Sequence, residues 1–310
     1  MTTLSRRQAL FAGATMPLAA TLLSRPASAQ ETMLGSGFAP WNRFKLGGFE
    51  VTTLLVGSRA LENPQETFGT NASPEDFAAL SQANFIPTDK SQNFFTPTVV
   101  NTGAEIVLFD TGLAAEGTLA ALTAAGMTPD MVDVVVLTHM HGDHIGGLMG
   151  ADGTTPTFAN ARYVTGAVEH NAATEAGDEG FVKNVAPLND RFTFLEDGGS
   201  PASGITAVAA FGHSPGHMVY SVESDGQRLM ITADTANHYV WSLQRPDWEV
   251  RFDRDKAAAA ATRKAVFGQI AADRIPFIGY HMPFPGVGYV EAQGDGFRYV
   301  PASYQLMLNG

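Results

Sequence analysis

The sequence predicts one layered α/β domain, and three observations lead to this prediction. Short apolar, β-branched runs recur along the chain, single helical patterns separate some of them, and no internal repeat or low-complexity linker interrupts the series. Strands interspersed with single helices form sheets that helices cover. With 310 residues, 45% of them hydrophobic, the chain is long enough to bury a large core. We therefore expect a single domain over residues 30–310.

Nine runs have the length and composition of strands and are bounded by turn residues. In chain order they are Phe49–Val56, Thr98–Asn101, Glu105–Phe109, Val132–Thr138, Arg162–Thr165, Ile205–Ala209, Met218–Val222, Arg228–Thr232 and Ile275–Gly279. The segment Pro283–Gly296 is rich in Gly and Pro, so we expect an irregular surface loop there.

Three segments have helical patterns. Pro74–Asn84 follows Ser73, a residue type that caps helix N-termini. Ala115–Ala125 is followed by Gly126, which favours a helix end. Asp255–Asp273 is the longest, and its alanine run and spaced apolar residues suit a helix packed on a sheet.

The N-terminus has the pattern of an export signal. Ser5–Phe11 contains a twin-arginine pair, Ala9–Leu23 is moderately apolar, and Ala27–Ala29 offers small residues for cleavage before Gln30. The alternative is a membrane anchor, but the apolar stretch is shorter than the about 20 residues that a span needs. We expect residues 1–29 to be a cleaved twin-arginine signal, and the mature protein to be periplasmic or secreted and not inserted in a membrane.

Charge and cysteine content exclude several classes of partner. The formal net charge of −12 argues against a nucleic-acid partner, because phosphate backbones attract basic surfaces. The chain has no cysteine, so neither a disulfide nor a thiolate metal ligand is possible. Any metal site must use His, Asp or Glu, which suits Zn, Mn, Fe or Co.

Four potential metal ligands fall within six residues, directly after the apolar run Val134–Leu137. His139 and His141 are two residues apart at a strand end, where extended geometry places both side chains on one face, so both can reach one ion. Asp143 and His144 follow a glycine, where the chain can turn toward a second ion. This density predicts a metal site.

Further candidates come from distant segments. His213 and His217 flank a Ser-Pro-Gly turn between two predicted strands. Asp234 and His281 each close a predicted strand, and Asp110 ends another in the run Leu-Phe-Asp-Thr-Gly. Strand ends are where sites in α/β proteins usually lie.

The order of these motifs resembles that of the metallo-β-lactamase superfamily over the whole mature chain. The motifs are the strand-end Asp-Thr-Gly, the His-x-His-x-Asp-His run, the Pro-Gly-His turn, the strand-end Asp and the late His. The resemblance implies an αββα sandwich with two metals at the strand ends. It implies His139, His141 and His217 as ligands of the first metal, Asp143, His144 and His281 of the second, and Asp234 as the bridge. We interpret Asp110 as the acceptor of a hydrogen bond from a ligand histidine. His213 is expected in a structural or orienting role and not as a ligand.

The resemblance also implies a reaction. Two metals about 3.5–4 Å apart share a water and lower its pKa, and the resulting hydroxide attacks a carbonyl or phosphoryl centre. The metals would stabilise the oxyanion that develops. Asp234 is implied as the bridging catalytic carboxylate, and Asp143 could orient the nucleophile or move its proton.

The segments Phe44–Thr52 and His281–Tyr289 are similar to those of methyl parathion hydrolase and its lactonase relatives. We therefore expect a small uncharged ester, lactone or organophosphate triester as substrate. Six residues that flank the site segments predict an apolar pocket mouth: Phe94, Phe95, Phe181, His238, Trp241 and Phe284. The chain lacks that family's Phe after Gly112 and its Trp near Asn171, which argues against efficient phosphotriester hydrolysis.

Several alternatives stay open. A mononuclear-iron dioxygenase on the same fold would use fewer of these ligands, and a β-lactam hydrolase usually departs from the Asp143 and His281 pair. A binding protein with structural metals would have a closed coordination shell. A homodimer is also compatible with the sequence.

Overall fold

The computed structural model describes residues 37–309, so the predicted export signal lies outside the described residues. From Phe38 onward the chain forms one compact unit. Across residues 37–309, every helix is too short or too polar to cross a membrane.

Fifteen strands run through the described residues. They are β1 Trp41–Leu46, β2 Phe49–Leu54, β3 Gly57–Glu62, β4 Lys90–Phe95, β5 Thr98–Asn101, β6 Ile106–Phe109, β7 Val134–Leu137, β8 Arg162–Gly166, β9 Phe192–Leu195, β10 Ile205–Ala209, β11 Met218–Ser224, β12 Gln227–Ala233, β13 Phe277–Gly279, β14 Val287–Gln293 and β15 Gly296–Pro301. One sheet has the order β1-β2-β5-β6-β7-β8-β9 and another the order β10-β11-β12-β13-β14-β15, while β3 and β4 form a separate hairpin.

Seven α-helices accompany the strands. They are α1 Pro74–Ala83, α2 Ala115–Ala124, α3 Gly142–Ile145, α4 Ala167–Ala176, α5 Glu179–Asn184, α6 Trp241–Gln244 and α7 Lys256–Asp273. Single-turn or two-turn 3₁₀ helices lie at Pro64–Glu66, Pro129–Met131, Ala186–Arg191 and Gln305–Asn309. Ser73 caps α1 as predicted, because its side chain accepts a hydrogen bond from the backbone N–H of Asp76.

The two large sheets pack face to face, and helices cover their outer faces. The alternation of β7 shows how: Val134 and Val136 point into the cluster between the sheets, while Val135 and Leu137 point into the cluster under α2, α4 and α5. Every residue of β7 is therefore buried, as in strands that are covered on both sides. On the other side, Phe267 of α7 packs on the outer face of the second sheet. The predicted αββα sandwich is confirmed.

The expectation of an irregular loop over Pro283–Gly296 is wrong, because β14 occupies Val287–Gln293 and pairs with both β13 and β15. Gly288 is needed there for close approach and not for a turn. A Cβ at Gly288 would lie 2.4 Å from the ring of Tyr299 on the paired strand. A glycine inside a strand often marks such an approach.

Candidate metal centre

Strands of both sheets end close together, and the candidate ligands follow those ends. His139 and His141 follow β7, and His213 lies on the loop between β10 and β11. Asp234 follows β12 directly, and His281 comes two residues after β13. The short helix α3 carries two more candidates, Asp143 and His144, and places them beside these strand ends. Four segments that are far apart in the sequence, each predicted as a strand end or a turn, thus converge.

One group of ligand atoms comprises His139, His141, His213 and Asp234, all within 4.8 Å of one another. Nδ1 of His141 lies 3.0 Å from Nε2 of His139 and 3.0 Å from Nε2 of His213. Nε2 of His213 lies 3.2 Å from Oδ2 of Asp234. Three imidazole nitrogens and a carboxylate oxygen that face one point match the donor set of a zinc-type ion.

A second group comprises Asp143, His144 and His281. Nε2 of His281 lies 3.4 Å from Oδ2 of Asp143, and Nε2 of His144 lies 3.7 Å from the same atom. Asp234 also lies beside this group, since its Oδ1 is 3.3 Å from His144 and its Oδ2 is 3.2 Å from His281. The Asp234 carboxylate therefore contacts histidines of both groups.

Three of these histidines use the ring nitrogen remote from the site to donate a hydrogen bond. The acceptors are a carboxylate oxygen of Asp253 for His213, a carboxylate oxygen of Asp110 for His144 and the backbone carbonyl of Phe94 for His281, each at 2.8 Å. With Nδ1 donating, Nε2 carries a lone pair toward the site, which is the arrangement of metal-binding imidazoles. The interpretation of Asp110 as such an acceptor agrees with this geometry.

The structure exchanges the expected roles of His213 and His217. Nδ1 of His217 lies 3.1 Å from the carbonyl of Ala210, and its Nε2 accepts a hydrogen bond from the backbone N–H of Asp234 at 3.2 Å. Both ring nitrogens are thus engaged within the protein, and no lone pair is left for an ion. The assignment of His217 as a ligand is therefore corrected to His213, which the sequence analysis had placed in an orienting role.

Two residues without glycine's freedom adopt left-handed backbone conformations at the site. Asp110 has φ 60° and Ala233, directly before Asp234, has φ 43°. This conformation costs an L-residue roughly 1–2 kcal/mol. Such strain clusters at functional sites, where the surrounding structure imposes it. Here it turns the chain at the ends of β6 and β12, where the carboxylates of Asp110 and Asp234 face the site.

Two buried polar atoms without partners indicate that the ligand groups suit metal ions. Nε2 of His144 and Oδ1 of Asp234 are buried and have no hydrogen-bond partner among residues 37–309. Buried polar atoms are nearly always paired, so two orphans that face each other at 3.3 Å need an occupant. Imidazole and carboxylate donors fit Zn, and also Mn, Fe or Co. The residues therefore fit two divalent ions.

Electrostatics divide the histidines of the metal-free chain into two kinds. Burial, followed by the neighbouring His213, lowers the pKa of His141 to about 4. Burial also acts on His281, but the carboxylates of Asp234 and Asp143 outweigh it and raise its pKa to about 10. The carboxylates around His144 raise its pKa in the same way against burial. Displacing these protons is part of metal uptake.

A buried carboxylate that the sequence analysis did not single out joins two ligand loops. Glu169 of α4 accepts hydrogen bonds from the backbone N–H of Met140 at 2.9 Å, the hydroxyl of Ser214 at 2.7 Å and the backbone N–H of Gly216 at 2.8 Å. The loop of His139 and the loop of His213 are thereby tied together. One sequence signal for Glu169 was available: it comes shortly after the end of β8, and the candidate ligands also follow strand ends.

A cavity of about 420 Å³ opens beside the ligand groups. Its walls are the ligand-group residues His141, Asp143, Asp234 and His281, the apolar Ala60, Leu61, Phe68, Phe95, Leu113 and Phe252, the polar Asn93 and Asn237, the two arginines Arg59 and Arg251, and Gly142. Asn237 donates from Nδ2 to Oδ2 of Asp234 at 3.0 Å, while its own Oδ1 is buried without a partner. The site is therefore open to a small molecule on this side.

Of the six residues predicted to line the pocket, Phe95 is among those around this cavity. The rings of the others are used for packing. Phe181 is buried in the core under the helices, Trp241 stacks on Phe77 and His238 stacks on Trp241, while Phe94 and Phe284 pack edge-on against Phe38. The cavity is consequently more polar than the aromatic mouth that the sequence suggested.

Comparisons with known proteins agree with this geometry. The family model described as "Metallo-beta-lactamase superfamily" matches residues 96–276. Among curated proteins, ribonuclease Z of Pyrococcus furiosus is 47% identical over 49 residues, which are 16% of this chain and 15% of that protein. An atrochrysone carboxyl ACP thioesterase of Passalora fulva is 28% identical over 187 residues, which are 58% of this chain and 49% of that protein. The chain thus spans half or less of the length of these relatives.

Solved structures share the fold over nearly their full length. AidC, a dizinc quorum-quenching lactonase in complex with a product, superposes with a TM-score of 0.78 at 24% identity, covering 86% of this chain and 98% of that one. AbOPH, a hydrolase in the β-lactamase superfamily, superposes with a TM-score of 0.78 at 22% identity, covering 87% and 100%. At these identities the likeness concerns the fold.

Proposed function

Because the chain belongs to the metallo-β-lactamase superfamily, we propose that it is a two-metal hydrolase of small esters and lactones. The observation that carries the proposal is the position of Asp234, whose carboxylate lies 3.2 Å from His213 of one ligand group and 3.3 Å from His144 of the other. A bridging carboxylate at the end of an open cavity is the arrangement that two-metal hydrolysis requires. Organophosphate triesters are the alternative substrates.

The residues for the two ions follow from the geometry. His139, His141 and His213 would hold the first ion, Asp143, His144 and His281 the second, and Asp234 both. Two such ions supply a water of lowered pKa and a Lewis acid for the carbonyl oxygen. We propose zinc, which the all-nitrogen-and-oxygen donor set accepts and which the dizinc lactonase neighbour contains.

The chain's own residues have distinct tasks around the reacting bond. The Asp143 side chain is 23% exposed and faces the cavity, and His144 and His281 outweigh burial to lower its pKa to about 2. It is therefore an anion that accepts a hydrogen bond from, and so orients, an attacking water. Phe68 and Phe95 exclude bulk water from the wall of the same cavity.

The overall reaction is the addition of water to the acyl carbon and cleavage of the bond to the leaving oxygen, which takes up a proton. A mononuclear-iron dioxygenase would leave the second ligand group without a use, yet Asp143, His144 and His281 are complete and two of them have dedicated hydrogen-bond acceptors. A structural metal site would be closed, whereas this one borders a cavity. Both observations favour hydrolysis.

The test is a substrate panel on the zinc-loaded protein that lacks residues 1–29. The panel contains an aryl ester, a δ-lactone, an acyl-homoserine lactone, a dialkyl aryl phosphotriester and a β-lactam. Metal content and oxygen uptake are measured in parallel on the protein as purified, before zinc is added. We expect two metals per chain and turnover of the ester or a lactone. One iron per chain with oxygen consumption, or turnover of the β-lactam alone, would refute the proposal.

A further inference from the structure

Two arginines face the proposed substrate cavity. Arg59 and Arg251 line the same 420 Å³ space as Asp143 and His281 of the second ligand group. They come from segments far apart in sequence, one in the hairpin of β3 and β4 and the other shortly before α7. The fold therefore brings two guanidinium groups to the space that a substrate would fill.

Arg59 shares one face of the β3–β4 hairpin with other residues of the cavity wall. In β3, Arg59 and Leu61 are two residues apart and so lie on one face of the hairpin. Asn93 pairs with Arg59 and Phe95 pairs with Gly57 across the hairpin. Leu61, Asn93 and Phe95 of this face also line the cavity, as does Ala60, so this part of the hairpin forms one of its walls.

Arg251 is held in place by its backbone and by a neighbouring ring. Its N–H donates to the carbonyl of Thr67, next to the β-bridge between Phe68 and Val250. The ammonium group of Lys256 donates to the carbonyl of Arg251 at 2.9 Å. The guanidinium lies 4.9 Å from the ring centroid of Phe252, which limits its rotation.

Both guanidinium groups are free of an anionic partner among residues 37–309, whereas Arg162, Arg263 and Arg298 form ion pairs. The chain as a whole carries a net charge of −12, whereas the wall of this cavity holds two cations without an ion pair. Metal ions in the ligand groups would offset the charges of Asp143 and Asp234. The cavity is thus electropositive inside an acidic protein, which favours an anionic ligand.

We propose that the substrate carries a carboxylate remote from the bond that is cleaved, and that Arg59 and Arg251 recognise it. This inference rests on the proposed ester or lactone hydrolysis. The guanidinium fork matches a carboxylate in two-point geometry.

The experiment compares two esters that differ in charge and little in shape. The first is para-nitrophenyl hemiglutarate, whose acyl chain ends in a carboxylate. The second is para-nitrophenyl 5-methylhexanoate, in which an isopropyl group replaces that carboxylate. For the zinc-loaded protein we expect a KM about tenfold lower for the hemiglutarate, the size of one charge-assisted contact. Added salt should reduce this preference, since both arginines are exposed.

The double variant R59Q/R251Q should lose the preference, because its KM for the hemiglutarate rises more than its KM for the neutral ester and the two values become similar. The matched control is R245Q/R254Q, which removes the same two charges from exposed positions outside the cavity wall and should keep the preference. Equal KM values in the parent protein, or a double variant that weakens both esters alike, would overturn the proposal and leave the hydrolase function intact.

Calorimetry keeps the proposal testable if neither ester is cleaved. Glutarate and the branched monocarboxylate of the same shape are titrated into the parent protein and the double variant. Tighter binding of glutarate to the parent, about tenfold and absent from the double variant, supports the arginine site. Equal binding of the two acids to the parent overturns it.

Discussion

Nδ1 of His213 lies 2.8 Å from a carboxylate oxygen of Asp253, and both side chains are almost completely buried. The other oxygen of Asp253 accepts from Arg263 at 2.9 Å, and Arg263 also donates to the carbonyl of Thr235 at 2.8 Å. Thr235 directly follows Asp234, so this chain of hydrogen bonds joins the loops of His213 and Asp234. These hydrogen bonds orient the ring of His213 and support the backbone beside Asp234.

Asp253→Asn removes the charge of this acceptor and keeps its shape. We expect metal affinity to fall roughly 10–100-fold, the usual effect of losing such an outer partner. Competition with a chromogenic chelator measures it. Asp255→Asn is the control, since Asp255 caps α7 and does not contact a ligand histidine, and Asn caps helices as well. Unchanged affinity in Asp253→Asn would remove Asp253 from the support of the site.

Replacing each of two neighbouring histidines by alanine distinguishes ligand from support. His213→Ala removes a donor of the first group, so we expect about one metal per chain in place of two. His217→Ala leaves all proposed ligands and removes only the contacts to Ala210 and Asp234, so metal content should stay near two while the melting temperature falls. Elemental analysis of the purified variants decides. The opposite pattern would restore the assignment made from the sequence.

The ligand residues of this site were only partly predictable from the sequence. Histidines and carboxylates at strand ends were recognisable because ligand type and strand pattern are local properties. The choice between His213 and His217 was not, since both lie on one short turn. It depends on which Nε2 keeps its lone pair for the site: that of His217 accepts from the backbone N–H of Asp234, and that of His213 does not. The acceptor that orients His213, Asp253, comes forty positions later in a charged run without any metal-site signal.

The pocket was harder to predict for a related reason. Aromatic residues near the site in sequence, such as Trp241, are buried in ring stacks with residues from remote segments, including Phe77. Arg59 and Arg251 carried no signal, because exposed arginines are common and only the tertiary fold brings these two to one cavity. Strand boundaries in the sheet core were predictable within two residues, as for Thr98–Asn101 and Ile205–Ala209.

Glu169→Gln tests the tie between the two ligand loops. A carboxylate accepts all three hydrogen bonds that Glu169 receives, whereas an amide must turn its NH₂ toward one of the donors. We expect the free energy of unfolding of the metal-free protein to fall by about 1–3 kcal/mol, the cost of a buried unsatisfied group. Denaturant titration measures it. Glu175→Gln, at an exposed position of the same helix, should leave stability unchanged, and an equal loss there would contradict the tie.

Metal uptake should release protons, and the pKa values give the direction. Asp234 and Asp143 outweigh burial and raise the pKa of His281 to about 10, and the carboxylates around His144 raise its pKa likewise, so both rings are protonated near neutral pH in the metal-free chain. Hydrogen bonds to Asp234 and Asp253 also raise the pKa of His213 against burial. A ligand nitrogen must give up its proton, so loading at pH 7.5 should release roughly two to three protons per chain. Because the raised pKa makes protons compete with the ion, apparent affinity should rise as the pH increases toward 10.

Calorimetric titration in buffers of different ionisation enthalpy counts the protons, and His281→Gln should lower the count by about one. A binding enthalpy that is the same in all buffers would show that the histidines are already neutral and that the carboxylates do not control them.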